Sequence, residues 1–130
     1  NLSAVGATIV GATLTRTTLT GANLARTSMV GVTGRYVRLT NAILTSADLS
    51  NAALVFSSLS GAGLAGAQLD QADLTGANLV ATDLSGSDLS GSDLTGADLA
   101  GAKMRFAKLD GVIGADFSRA KNVPPKYLKD

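Results

Sequence analysis

The 130-residue chain contains no cysteine, histidine, tryptophan or glutamate, and only two prolines. Without cysteine it forms no disulfide, has no thiol nucleophile and offers no cysteine-based metal site. Without histidine it lacks the usual base that activates a nucleophile. No apolar run approaches the roughly 18 residues that a membrane-spanning helix needs. The missing residue types exclude the usual forms of nucleophilic catalysis and cysteine-based metal binding. The length of 130 residues indicates one domain.

The chain contains instead a five-residue repeat, clearest at 72–79 and 83–99. We number the positions of each unit from −2 to +2 around its leucine. Position −2 is small, −1 is Asp or Asn, +1 is Ser or Thr, and +2 is Gly. This register runs from Ala4 to Leu109 as 22 units, with leucine at 17 central positions and 12 of the 15 glycines at +2. Such a fixed period indicates a repeat architecture.

A period of five predicts a very short strand followed by a tight turn. Positions −2 and 0 point inward around an outward position −1. Glycine at +2 permits the turn because it accepts a positive φ. If four units close one coil, residues 20 apart pair in successive coils at roughly 4.8 Å. The sequence alone leaves this four-sided closure open.

The units resemble the A(D/N)LXX motif of the pentapeptide-repeat family over most of 4–109. The resemblance implies an all-β fold, a right-handed quadrilateral parallel β-helix of about 5.5 coils with a short C-terminal helical cap. We expect the β-helix over 1–118, irregular at 32–38 and 110–117, and a cap or tail over 119–130.

The repeat is interrupted at 32–38 and again at 110–117. At Gly34 a central position has no side chain, and Val32 and Val37 stand nearby in place of small residues. Either these valines fill the missing volume or 32–38 forms a bulge or loop, and both interpretations stay open. Near the C-terminus, a helical turn is expected to lay Tyr127 and Leu128 over the last coil.

Charge is distributed in three bands along the chain: +4 over 1–47, −7 over 48–100 and +4 over 101–130. The simplest interpretation is a solvated surface on which Asp bonds to local turn backbone. We expect no direct nucleic-acid binding, because four arginines neutralise few phosphates and the adjacent acidic band opposes them.

Stacking residues 20 apart predicts a candidate interaction surface. In it, Arg16 caps an aromatic stack by a cation–π contact, and two stacked aspartates raise the pKa of one of them. The surface comprises Arg16, Arg26, Arg35, Tyr36, Arg38, Phe56, Asp73 and Asp93. The same rule predicts charge pairs between Asp83 and Lys103 and between Asp88 and Lys108.

We therefore expect a non-enzymatic scaffold for protein–protein interaction with an unidentified protein partner. It has no catalytic residue, no cofactor and no metal site, since Asp73 and Asp93 are expected on a convex face without a cleft. The alternative that the family implies is a DNA mimic that binds DNA gyrase or topoisomerase.

The N-terminal end raises two further expectations. The chain begins at Asn1 without methionine, so we expect a cleaved product or an excised domain, either cytoplasmic or exported. Leu2, Val5 and Ile9 are expected to form an uncovered apolar end. Such an end favours a weak homodimer through it.

Overall fold

The computed structural model describes residues 2–128. Asn1, Lys129 and Asp130 lie outside the described residues, so the expected tail at 119–130 is described only to its tenth residue. Within that range the one helix is a short 3-10 turn, Pro125–Tyr127. Elsewhere each unit contributes a single bridging residue and a two-residue turn.

Parallel bridges join residues that are 20 apart, from Ser3 with Asn23 to Asp93 with Ile113. Each bridging residue is at position −1. The Leu74 amide donates to the carbonyl of Asp93 over 2.8 Å, and its equivalents repeat along the chain. Because a span of 20 residues holds four units, and each unit has one turn, the chain makes four corners before it meets itself.

The corners explain the period of five. Every residue at position +2, from Gly6 to Gly111, has a positive φ, and ten of these residues are not glycine. At almost every corner the carbonyl at position 0 accepts the amide of the next position −2, as between Leu74 and Ala77 (3.0 Å). A positive φ at the third residue is what a type II turn requires.

The core is a stack of central residues from successive coils. All leucines at position 0 from Leu39 to Leu94 are fully buried, and alanine, serine or threonine at −2 fills the space beside them. Met29 and Met104 replace leucine and are buried equally well. In the first coil the central residues are only partly buried, since they contact one neighbouring coil.

The stretch 32–38 keeps its register despite the missing side chain at Gly34. Val32 and Val37 are fully buried, and a Cβ at Gly34 would lie 2.6 Å from Cγ2 of Val37. Thr33 still bridges residues 20 positions before and after it. The valines therefore occupy the missing leucine volume without an insertion.

The irregularity at 32–38 is confined to one corner. The Val37 amide does not bond to the Gly34 carbonyl. It donates instead to Oγ of Ser57, one coil further, over 3.0 Å. Because a buried amide needs a partner, the serine hydroxyl replaces the missing turn bond.

The register changes after Ile113. Lys121 bridges Lys103, only 18 residues earlier, so the last partial coil is two residues shorter. Phe117 packs against the core in the place of leucine. The Asp116 side chain accepts the amide of Ser118, as at other −1 positions.

The C-terminal segment is attached through Asp110. The Tyr127 hydroxyl donates to Oδ2 of Asp110 over 3.0 Å, and Nζ of Lys126 lies 3.7 Å from Oδ1. Tyr127 packs against the core, but Leu128 is 54% exposed. The prediction that Leu128 covers the last coil is wrong, because the segment leaves the helical conformation at that residue.

Replacing one stacked leucine tests the inward assignment. Leu84→Ala should lower the free energy of unfolding by about 2–5 kcal/mol, because the fully buried side chain leaves a cavity. Ile43→Ala is the matched control, since Ile43 is an outward aliphatic residue that is 45% exposed. Its expected change is within about 1 kcal/mol. Equal losses in urea titrations of the two variants would contradict the assignment.

Candidate interaction surface at an arginine–aromatic corner

Three large side chains occupy the same corner in successive coils. The rings of Tyr36 and Phe56 stack, with centroids 5.7 Å apart and planes inclined by 18°. The Arg16 guanidinium lies 4.9 Å from the Tyr36 ring centroid, and that of Arg35 lies 5.1 Å from the Phe56 centroid. We call Arg16, Arg35, Tyr36, Arg38 and Phe56 the arginine–aromatic corner.

Glycine in the next coil gives the upper ring its space. A Cβ at Gly76 would overlap the ring of Phe56. The same relation holds at two other corners, where Gln71 lies beside Gly91 and Asn41 beside Gly61. At these three corners the side chain leans toward the following coil, where a glycine leaves room for it.

An open groove of about 530 Å³ runs beside this corner. Half-exposed rings form an apolar wall, guanidinium and hydroxyl groups form a polar one, and Val37 is the buried base. The lining consists of Arg16, Thr18, Tyr36, Val37, Arg38, Phe56 and Ser58.

The arginines of the corner have no anionic partner within residues 2–128. There, the one ion pair joins Lys126 and Asp110 near the other end of the chain. Arg16, Arg35 and Arg38 are exposed, and their N–H groups are available to an external carboxylate or phosphate.

The structure separates the other residues of the predicted surface from this corner. Arg26 occupies the corner ten residues after Arg16, which is two corners further around a four-cornered coil. Asp73 and Asp93 bridge each other on the face that precedes the arginine–aromatic corner, in later coils. The eight residues therefore form one compact group of five and three outlying residues.

The aspartates at position −1 bond to their own turns. Oδ1 of Asp93 accepts both the amide (3.0 Å) and the hydroxyl (2.6 Å) of Thr95. These bonds hold the pKa of Asp93 below its ordinary value of 3.8. The expected rise in pKa from stacking on Asp73 is therefore wrong for Asp93, because the donors of Thr95 stabilise its ionised form.

The predicted charge columns pair through backbone and not through side chains. Asp83 bridges Lys103, and Asp88 bridges Lys108, but neither pair forms an ion pair among the described residues. Bonds from Ser85 hold the pKa of Asp83 below its ordinary value, and Lys103 is the weakest of the causes. The aspartate has turned toward its own turn, which leaves the lysine exposed.

Sequence reasoning missed Thr18, Val37 and Ser58 as lining residues of the groove. Thr18 and Ser58 are bridged to Arg38 on either side, so the spacing of 20 that grouped the aromatic residues also identifies them. Among the described residues, no cluster of three or more potential metal ligands is found. None of the described chain forms a helix long and apolar enough to cross a membrane.

Comparison with known protein families gives a match to the amino-acid sequence. The model for pentapeptide repeats matches the chain in eight copies, at 5–33, 38–79, 52–91 and 77–113. No curated protein matches the chain.

Several crystal structures are similar to the chain. HetL from the cyanobacterium Nostoc sp. strain PCC 7120, a pentapeptide repeat protein involved in heterocyst differentiation regulation, is 29% identical with a TM-score of 0.72. The match covers 94% of this chain and 64% of HetL, so the chain spans less than two thirds of that protein.

Two further matches extend over most of the chain. A pentapeptide repeat protein from the cyanobacterium Cyanothece 51142 is 27% identical with a TM-score of 0.62, covering 91% of this chain and 89% of that one. One from the Arabidopsis thaliana thylakoid lumen is 25% identical with a TM-score of 0.54, covering 92% and 70%.

Alanine at two glycine corners measures the packing of the aromatic stack. Gly76 and Gly86 have the same φ of 66°, so alanine should cost about 1–2 kcal/mol at either position from backbone strain alone. Gly76→Ala should cost about 1–3 kcal/mol more, because the new methyl group displaces the Phe56 ring. The additional removal of the ring by Phe56→Asn should abolish the difference. Equal unfolding free energies for the two alanine variants would show that the ring does not press on Gly76.

The aspartate bonds predict a stability that depends on pH. Asp83 and Asp88 both have a folded pKa below 3.8. Their contribution is complete above the unfolded value and is lost as the pH falls through the lower folded value. Asparagine accepts the same amide bond, as at Asn78, but does not titrate in this range. The double variant Asp83→Asn/Asp88→Asn should therefore show a shallower loss of stability between about pH 5 and pH 2.

The matched control for this experiment is Gln68→Asn, which changes a non-titrating side chain at position −1. Its pH dependence should equal that of the parent. Denaturant unfolding at several pH values provides the measurement. A double variant that loses stability as steeply as the parent would mean that these two carboxylates keep their ordinary pKa in the folded protein.

Proposed function

Because this chain belongs to the pentapeptide-repeat family, we propose that it is a non-enzymatic scaffold that binds a protein partner through the arginine–aromatic corner. The observation that carries the proposal is this corner: two stacked rings, each about half exposed, beside arginines without an anionic partner in the described residues. Tyrosine and arginine are among the residues that contribute most binding energy at protein interfaces.

The fold suits a scaffold because it holds the corner rigidly. The right-handed β-helix of the family, with 22 units at four per coil, makes about 5.5 coils here. In our proposal 1–118 forms this β-helix, and the segment 119–130, with its turn at Pro125–Tyr127, is its cap. Each ring of the corner is fixed by a backbone bridged to the coils on either side, which reduces the ordering cost of binding.

The aspartate distribution favours a scaffold over a DNA mimic. Six of the seven aspartates between 48 and 100 are at position −1, and together they occupy all four faces. Five of them accept bonds from the serine or threonine two residues later. They serve the turns of every face and do not form two rows with the geometry of a phosphate backbone.

A weak homodimer through the N-terminal end remains a prediction. Leu2 and Val5 are exposed at this end, whereas Ile9 packs partly against the core. Sedimentation over a concentration series at low and high salt tests it. Because two arginine-rich ends repel each other, association should strengthen with salt.

Affinity capture with a matched pair of variants tests the proposed scaffold role. Phe56 and Phe106 are both exposed corner residues with a positive φ and an arginine over the ring. Asparagine accepts this backbone conformation. Proteins captured from the source cells by the parent should be lost with Phe56→Asn and retained with Phe106→Asn.

The loss with Phe56→Asn should be about tenfold or more, which corresponds to roughly 1.4 kcal/mol. Circular dichroism establishes that both variants are folded. Equal capture by the parent and both variants, or no specific capture by the folded parent, contradicts the proposal.

A further inference from the structure

We propose that the groove beside the arginine–aromatic corner binds an acidic segment of the partner protein. A carboxylate of that segment pairs with Arg16 and Arg38, and an adjacent apolar or aromatic side chain lies against Tyr36 and Phe56. This inference rests on the proposed scaffold role and adds the chemistry of the partner.

The arginines of the groove are available to an external anion. Arg16 is held over the face of Tyr36, 4.9 Å from the ring centroid, and it forms no ion pair within the described residues. A guanidinium has five N–H donors, so contact with one aromatic ring leaves donors for a carboxylate. Arg38 lines the same groove and has no ion pair in the described residues. Two guanidinium groups therefore face one cavity without a counter-charge there.

The groove also has an apolar wall. Tyr36 is 45% and Phe56 44% exposed, while Val37 closes the base. Of the two aliphatic hydroxyl groups in the lining, that of Ser58 is 3.0 Å from the hydroxyl of Thr40, and Thr18 lies on the other side of Arg38. A ligand that matches this lining carries negative charge next to an apolar group. Apolar contact beside the charges excludes water and strengthens their attraction.

The charge along the groove limits the length of the ligand. The column that contains Arg38 continues through Ser58 and Asn78 to Asp98. Three coils separate Arg38 from Asp98, which is about 14 Å at the spacing of paired strands. A nucleic acid following the coil axis would meet this carboxylate and those of Asp73 and Asp93 on the adjoining face. A short acidic peptide covers only the basic part, so we commit to a protein segment.

The test uses a fluorescein-labelled octapeptide with blocked ends that contains four aspartates around one tryptophan. The comparison probes are the same peptide with asparagine in place of aspartate and an oligothymidylate of eight nucleotides. Fluorescence anisotropy gives the affinities. Backbone ¹⁵N spectra show which residues respond, and we expect the shifts at Thr18, Tyr36 and Arg38.

The first set of variants removes positive charge, either at the groove or at a distant corner. Arg16→Gln/Arg38→Gln should weaken binding of the acidic peptide by about tenfold or more, since each charge-assisted bond is lost. Arg26→Gln removes the same charge at the opposite corner and should weaken it by less than about twofold, the loss expected of unspecific attraction. Gln71 shows that glutamine accepts the positive φ of a corner.

A second pair of variants keeps the result interpretable if the arginine variant unfolds. Phe56→Leu should weaken peptide binding, and Phe106→Leu should leave it unchanged. The inference is wrong if the asparagine peptide binds equally well, if the oligothymidylate binds more tightly, or if Arg26→Gln causes the same loss.

The outcome also separates this inference from the proposed function. If captured partners depend on Phe56 but the acidic peptide does not bind, the scaffold role stands and the acidic chemistry is wrong. If the peptide binds at the groove and no partner is captured by the folded protein, the scaffold role fails while the groove retains its affinity for carboxylates.

Discussion

Main-chain pairing between residues 20 apart is the constraint on which the rest of the structure depends. It aligns equivalent positions in successive coils, so leucine stacks on leucine and each turn on an equivalent turn. A slip of one residue would move every inward side chain to the surface. The register is therefore fixed jointly by the buried leucines and by the turn at every fifth residue. The valines around Gly34 preserve both, which explains why that defect remains local.

The corners connect this constraint to function. A positive φ costs an ordinary residue roughly 1–2 kcal/mol relative to glycine, yet ten corners carry side chains. At the arginine–aromatic corner, three consecutive coils carry one, and their mutual contacts offset part of the strain. The stack ends where Gly76 supplies space. The surface proposed for partner binding is thus a place where the repeat departs from its preferred glycine, while the fold around it stays regular.

Much of the fold could be predicted from the five-residue period of the sequence. The leucines, the glycine turns and the columns of residues 20 apart all follow from the period. The corner contact between Arg16 and Tyr36 was also accessible in this way. Three details were not, since they depend on competition between neighbours. Ser85 outcompetes Lys103 for Asp83, the Ser57 hydroxyl replaces a turn bond at Val37, and the last coil shortens by two residues before Lys121.

The measurement that tests the central claim most directly is an NMR experiment on backbone protons. In ¹⁵N-edited nuclear Overhauser spectra, the amide proton of Leu74 should show a contact to the α proton of Leu94, the residue after Asp93, whose carbonyl accepts its hydrogen bond. Equivalent contacts should repeat for each unit up to Ile113, linking a residue to partners 19 to 21 positions away, as the hydrogen bonds and bridges do. Contacts at a spacing of 15 or 25 residues would mean three or five corners per coil and would contradict the account.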